Sequence, residues 1–242
     1  MIESSSVEIV SSFIWGEMIL LRAMLQSISV IAVIMTALSG CMFGPGTGEK
    51  VYELLEKSAK TEQTFVKLQQ QLTDKETKEE QLYEKIINLD MNHFEQMVSM
   101  SKEAKQLAAD RENLIKQERD VIDKAYEQFR EIVPLVKNAK DEQLKAKGEA
   151  MIETMQHRHD AFSDLTEIYL RSVKLDRELY DMLQKKETEQ SALKKQVAEI
   201  NEAYKQILSK NKDFNAYTKK YNKLKKAFYE QAGLDVKYEQ GE

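Results

Sequence analysis

Residues 193–228 read LKKQVAEINEAYKQILSKNKDFNAYTKKYNKLKKAF. Leu193, Val197, Ile200, Tyr204, Ile207, Asn211, Phe214, Thr218, Tyr221 and Phe228 fall at steps of three, four or seven. That spacing is a coiled-coil-like seam along one side of a helix, with charged residues covering the rest. Asn211 is the polar position expected to fix register within it. Gly233, just beyond the seam, predicts the helix stop. A helix with one apolar stripe cannot bury that stripe alone, so this segment decides the fold: it must pack against others like it.

Three further segments repeat the pattern. Val51, Leu54, Ser58, Thr61, Phe65, Leu68 and Leu72 mark a first helix. Thr73 or Asp74 in LTDKE offers an N-cap for a second. That second helix carries Leu82, Ile86, Leu89, His93, Met97, Met100, Ala104, Leu107, Leu114, Val121, Ala125, Phe129 and Ile132, and ends near Pro134. A third spans about Asp141 to Leu183. Breaks near 73, 134–140 and 186–190 let the chain fold back on itself. The expected fold is therefore all-α, an elongated antiparallel up-and-down bundle of three to four long helices.

Composition agrees. The 242 residues include 8 Gly and 2 Pro with 32% charged residues, which suits long helices and not a β-rich fold. A net charge of −5 argues against nucleic acid as a partner. The single cysteine rules out an intramolecular disulfide framework and a thiolate zinc cluster.

That cysteine closes the motif Leu38-Ser39-Gly40-Cys41, which follows the uncharged apolar run 23–38. The run is short for a membrane span, for which about 20 apolar residues are needed, and suits a signal-peptide core. Leucine and two small residues before a cysteine form a bacterial lipobox. The thiol accepts a diacylglyceryl group, and cleavage after Gly40 leaves lipidated Cys41 as the new N-terminus. Two acyl chains at about 0.8 kcal/mol per buried CH₂ give a stable anchor. Glu3, Glu8 and Glu17 precede the run where a signal needs positive charge, so translation is expected to begin at Met18, with 1–17 an extension. The organisation expected is a signal peptide at 1–40, a lipidated tether at 41–48, a bundle at 49–233 and a tail at 234–242. Gly44, Pro45, Gly46 and Gly48 lack the Lys-Ser/Thr pair of a phosphate-binding loop and read as a flexible spacer.

Charge is unevenly spread: residues 41–193 hold 24 basic and 31 acidic side chains, whereas 194–226 hold 10 lysines and 3 acids. Tyr217, Lys219, Lys220, Lys223, Lys225 and Lys226 are the candidate contact for an anionic envelope polymer. The competing reading makes the tyrosines seam residues and the lysines a solvated face. His93, Met97 and Met100, like Met151, Met155 and His159, share helical faces, but methionine at seam spacing is far more often core filler than a soft-metal ligand. His157 and His159 lie two apart and point to different sides. No nucleophile elbow, paired-histidine zinc motif or Walker sequence occurs, so no enzyme, cofactor or metal site is expected.

EKVYELLEKSAKTEQTFVKLQQQL (49–72), EQLYEKIINL (80–89), VKLDRELYDMLQKKETE (173–189) and NAYTKKYNKLKKAFYEQAGL (215–234), together with the lipobox, resemble the YkyA-like family of Gram-positive cell-wall-binding lipoproteins. The resemblance runs over residues 41–235. It implies a helical bundle on the outer face of the cytoplasmic membrane, facing the wall, and brings no catalytic residues with it. The expected function is a non-catalytic binding or scaffolding role at the envelope. The expected partners are membrane lipid through Cys41, peptidoglycan or teichoic acid, and the prolipoprotein diacylglyceryl transferase and signal peptidase that process it. The alternative is a helical module that docks another membrane or secreted protein.

Overall fold

The computed structural model describes residues 46–236. Four long helices account for most of them: α1 (Thr47–Ile87), α2 (Phe94–Arg130), α4 (Glu142–Leu183) and α5 (Gln190–Gln231), with a short α3 (Val133–Lys137) between α2 and α4. The chain is an all-α helical bundle. No helix among the described residues is long and apolar enough to cross a membrane.

The breaks fall where local chemistry is strongest, with one correction. Thr73 and Asp74 start no helix; α1 runs straight through them, and Thr77 Oγ1 donates back to the Thr73 carbonyl at 2.9 Å. A cap-capable residue is only a local option, and Leu68, Leu72, Glu79, Leu82 and Ile86 keep the buried side unbroken across it. The turn comes instead at 88–93, where Asp90 accepts from the Asn92 amide at 2.9 Å and opens a single 3₁₀ turn. The segment expected as one helix from Leu82 to Ile132 is thus divided. Pro134 sits at the start of α3, where its missing N–H leaves no helical bond unmade. Asp141 caps α4, accepting from the Gln143 and Leu144 amides at 2.8 and 3.0 Å. Gly233, at φ +70°, closes α5 as expected. Its amide bonds the Glu230 carbonyl at 3.2 Å and the Leu234 amide bonds Tyr229 at 3.0 Å, a Schellman motif.

The chain forms two compact units, and each long helix contributes to both. The described part of the first is Leu68–Glu118 and Asp164–Lys210; that of the second is 46–67, Arg119–Ser163 and 211–236. The first unit buries Leu72, Ile86, Ala104, Ala108, Ile115, Val173, Ala203 and Ile207. The second buries Val51, Leu55, Phe129, Ile132, Val136, Met151, Tyr221, Phe228 and Tyr229 in one cluster. There α1 and α5 end side by side: a β-carbon on Gly48 would lie 2.6 Å from that of Ala232.

Gly148 permits the other close approach in this unit. A β-carbon there would meet Val136 Cγ1 at 2.6 Å and Cγ2 at 2.9 Å. Val136 is β-branched, fully buried and unable to swing away. Gly148→Ala is therefore expected to destabilise the protein by about 1–3 kcal/mol through overpacking, despite alanine's better helix propensity. A urea midpoint equal to or above that of the unchanged protein would show that α3 yields.

Candidate functional site

The described part of the last helix places four of the expected lysines on the surface and one in the interior. Lys219, Lys220, Lys223 and Lys226 are exposed. Lys212, two turns before Lys219, is exposed on the same side and extends the row, since residues four and seven apart share a helix face. Among the described residues Lys212, Lys219, Lys220 and Lys223 have no ion-pair or hydrogen-bond partner. Lys226 lies 4.0 Å from Glu230. Tyr217, half-buried, stacks on His157 with centroids 5.4 Å apart.

Lys225 belongs elsewhere. Its side chain is 9% exposed, its Nζ lies 3.1 Å from Glu56 and it sits 5.5 Å above the Tyr229 ring, while the Tyr229 hydroxyl donates to the same Glu56 at 3.1 Å. A surface ligand meets the other lysines, not this one. Arg158 is held in a similar way in the same unit. It forks onto Glu62 with two bonds of 2.9 Å, donates to Thr218 at 3.0 Å and lies over the Phe214 ring. These are interior ion pairs that hold α1, α4 and α5 together.

A cluster of charges lies inside the first unit, where all four long helices contribute. Arg111, on α2, is buried. Its Nη1 reaches Glu79 at 2.9 Å and Asp176 at 3.2 Å, and its Nε and Nη2 donate to the Tyr169 hydroxyl at 3.2 and 2.9 Å. Each acid around it has a tyrosine of its own. Tyr180 donates to Glu79 at 3.0 Å, Tyr204 to Asp176 at 2.9 Å, and Tyr169 to Glu76. Burial raises the pKa of Glu76 and pushes Asp176 up to about 7, with Arg111 opposing it in both cases.

Glu118 lies two turns along α2 from Arg111 and is 1% exposed. Its Oε1 has no hydrogen-bond partner. Burial, with the nearby Glu76 charge adding to it, pushes its pKa up to about 8 against the pull of a hydrogen bond with Gln69. At neutral pH this side chain is mostly a neutral acid.

Sequence reading missed this cluster, although a signal was present. Ala104, Ala108, Arg111, Ile115, Glu118, Ile122, Ala125, Phe129 and Ile132 alternate steps of four and three and are all buried. Choosing the apolar Leu107 and Val121, which are only half-buried, beside the buried Leu114 left Arg111 and Glu118 unseen. Asn211 is buried as expected and accepts from Asn215 at 3.2 Å.

The histidines and methionines do not converge. Met97, Met151 and Met155 are core residues, while His93 bonds Asp90 at 2.8 Å. His159 pairs with Asp123 at 2.8 Å and stacks on Tyr126. Among the described residues no group of three or more His, Cys, Asp or Glu side chains could hold a metal ion. Leu38, Ser39, Gly40 and Cys41 lie outside the described residues.

The polar interior is thus committed to joining helices, whereas the α5 lysines form an exposed row without acidic partners. Comparison with known proteins bears on the whole of this arrangement. The profile of the YkyA family, described as "Putative cell-wall binding lipoprotein", matches residues 46–231. A Bacillus subtilis (strain 168) protein named "Uncharacterized lipoprotein YkyA" is 31% identical over 200 residues, 83% of this chain and 89% of that one. No solved structure matches the chain. Because the matched span runs from the start of α1 to the end of α5 and takes in both interior clusters and the lysine face, the chain belongs to the YkyA family.

Proposed function

We propose that this protein is a surface lipoprotein, anchored through Cys41 to the outer face of the cytoplasmic membrane, with a non-catalytic binding role at the envelope. Its ligand is an anionic polymer of the teichoic acid type, held along Lys212, Lys219, Lys220 and Lys223. The observation that carries this reading is that these four exposed lysines share one side of α5 and lack acidic partners. In a chain of net charge −5, an unneutralised cationic row is where a polyanion would concentrate. The His157–Tyr217 stack beside it offers an amphipathic surface for a sugar or glycerol unit. The matched family's own description supports the envelope as the setting.

The test is co-sedimentation of residues 42–242 with purified walls, before and after acid extraction of their anionic polymers. Binding is expected to need the polymer and to fall as salt rises. A lysine beside an anionic surface contributes about 1 kcal/mol, so changing all four to glutamine should weaken binding on the order of 10²–10³-fold. Lys225→Gln should leave wall binding intact and lower stability instead. Equal binding to extracted walls would exclude the polymer, and absence of binding to either would favour the protein-docking alternative.

A further inference from the structure

The lysine face is fixed close to the point where the chain would enter the membrane. Gly48 lies against Ala232, so the start of α1 and the end of α5 share one end of the second unit. Gly46 lies only five steps along the chain from Cys41. Fully extended, those five steps span about 17 Å, the most that this tether can allow between bilayer and bundle. From Ala232 back along α5, Lys226 is about 9 Å away and Lys212 about 30 Å, at 1.5 Å per residue. All the face's lysines therefore lie within about 50 Å of the anchored cysteine along this route, however the tether is arranged.

That same end carries no cationic surplus that would lay it flat on anionic lipid. Lys50, Lys137 and Lys140 are exposed there, but so are Glu53, Asp141 and Glu142. A row of exposed lysines without acidic partners lies instead along the side of α5. Something that rises from the bilayer beside the bundle meets it.

We infer that the ligand of this face is a phosphodiester polymer rooted in the same membrane leaflet as Cys41, not one attached to the wall. The inference rests on the anchored, polyanion-binding reading above and adds the polymer's point of attachment. Two partners tethered to one surface meet at an effective concentration of about millimolar, so a row of modest electrostatic contacts is enough to hold them together. A polymer without a root in that leaflet gains nothing from the anchor.

The full lipidated protein in neutral phosphatidylcholine vesicles tests this. One preparation carries poly(glycerol phosphate) joined to diacylglycerol in the same bilayer. The other receives the same amount of that polymer with its lipid removed. Amine-reactive labelling read by mass spectrometry reports the protection of Lys212, Lys219, Lys220 and Lys223. The rooted polymer is expected to protect them at concentrations at least about tenfold lower than the free one. The K212Q/K219Q/K220Q/K223Q variant should show no binding of either form, followed by retention of labelled polymer. Equal protection by rooted and free polymer overturns the inference and leaves polyanion binding standing. Failure of both polymers, with no sedimentation on walls, removes both.

Discussion

Replacing Arg111 with leucine is expected to destabilise the first unit by about 3–5 kcal/mol, since it removes one partner of a buried charge group and leaves the others. Glu79 would keep its bond from Tyr180 and Asp176 its bond from Tyr204, but neither would have a counter-charge within reach. Domains carry only about 5–15 kcal/mol in total, so this single change should remove a large part of the margin. Urea unfolding of the whole chain at pH 7, followed by amide exchange in α2 and α4, is the measurement. Lowering the pH should restore part of the loss, because protonated acids need no arginine. An unchanged midpoint at pH 7 would mean that the tyrosines alone satisfy these acids.

Glu118→Gln is expected to do the reverse and stabilise the protein at alkaline pH. The folded pKa of Glu118, about 8, lies above the 4.5 of the free side chain. Below pH 4.5 both states hold the proton and the group is neutral in its effect. Between 4.5 and 8 the unfolded chain releases the proton while the folded chain keeps it. Stability therefore falls as pH rises, by up to about 1.4 kcal/mol per pH unit, and levels off above 8. Glutamine keeps the shape and has nothing to ionise. The variant's advantage should be least near pH 4–5 and reach several kcal/mol, about 3–5, by pH 9. Parallel stability curves for the two proteins from pH 5 to 9 would show that Glu118 is not the group responsible.

The two predictions rest on residues that show how far the sequence could be read. The helices α4 and α5 were legible nearly to the residue. In α5, Val197, Ile200, Tyr204, Ile207, Phe214, Tyr221 and Phe228 are apolar or aromatic and all turn inward. The first two helices were read less well, because their interior positions are occupied by polar groups. Glu79 in α1 and Arg111 and Glu118 in α2 sit in seam register, yet a search for apolar spacing passes over them. They become tolerable inside only once four helices bring tyrosines and opposite charges to them, which is tertiary information. Thr73 and Asp74 misled for the same reason: a possible cap was weighed locally, while packing of Leu72 and Glu79 kept the helix whole. The surface lysines could be listed from the sequence. That Lys225 faces inward depended on Glu56, 169 positions away in the chain.

The meeting of Gly48 with Ala232 also determines how the molecule would bear tension. With the proposed lipid anchor at Cys41, a pull against a grip near the C-terminus would draw two neighbouring helix ends apart instead of sliding them past one another. Val51, Leu55, Phe228 and Tyr229 would then separate a turn at a time, each step working against only a few contacts. Opening of that kind, like a zip, takes far less force than shearing a whole helix from its groove. A load applied along the side of α5, at Lys212 to Lys223, would be spread over many turns at once. Under the proposed anchoring and lysine contact, the flank would hold where the tail gives way.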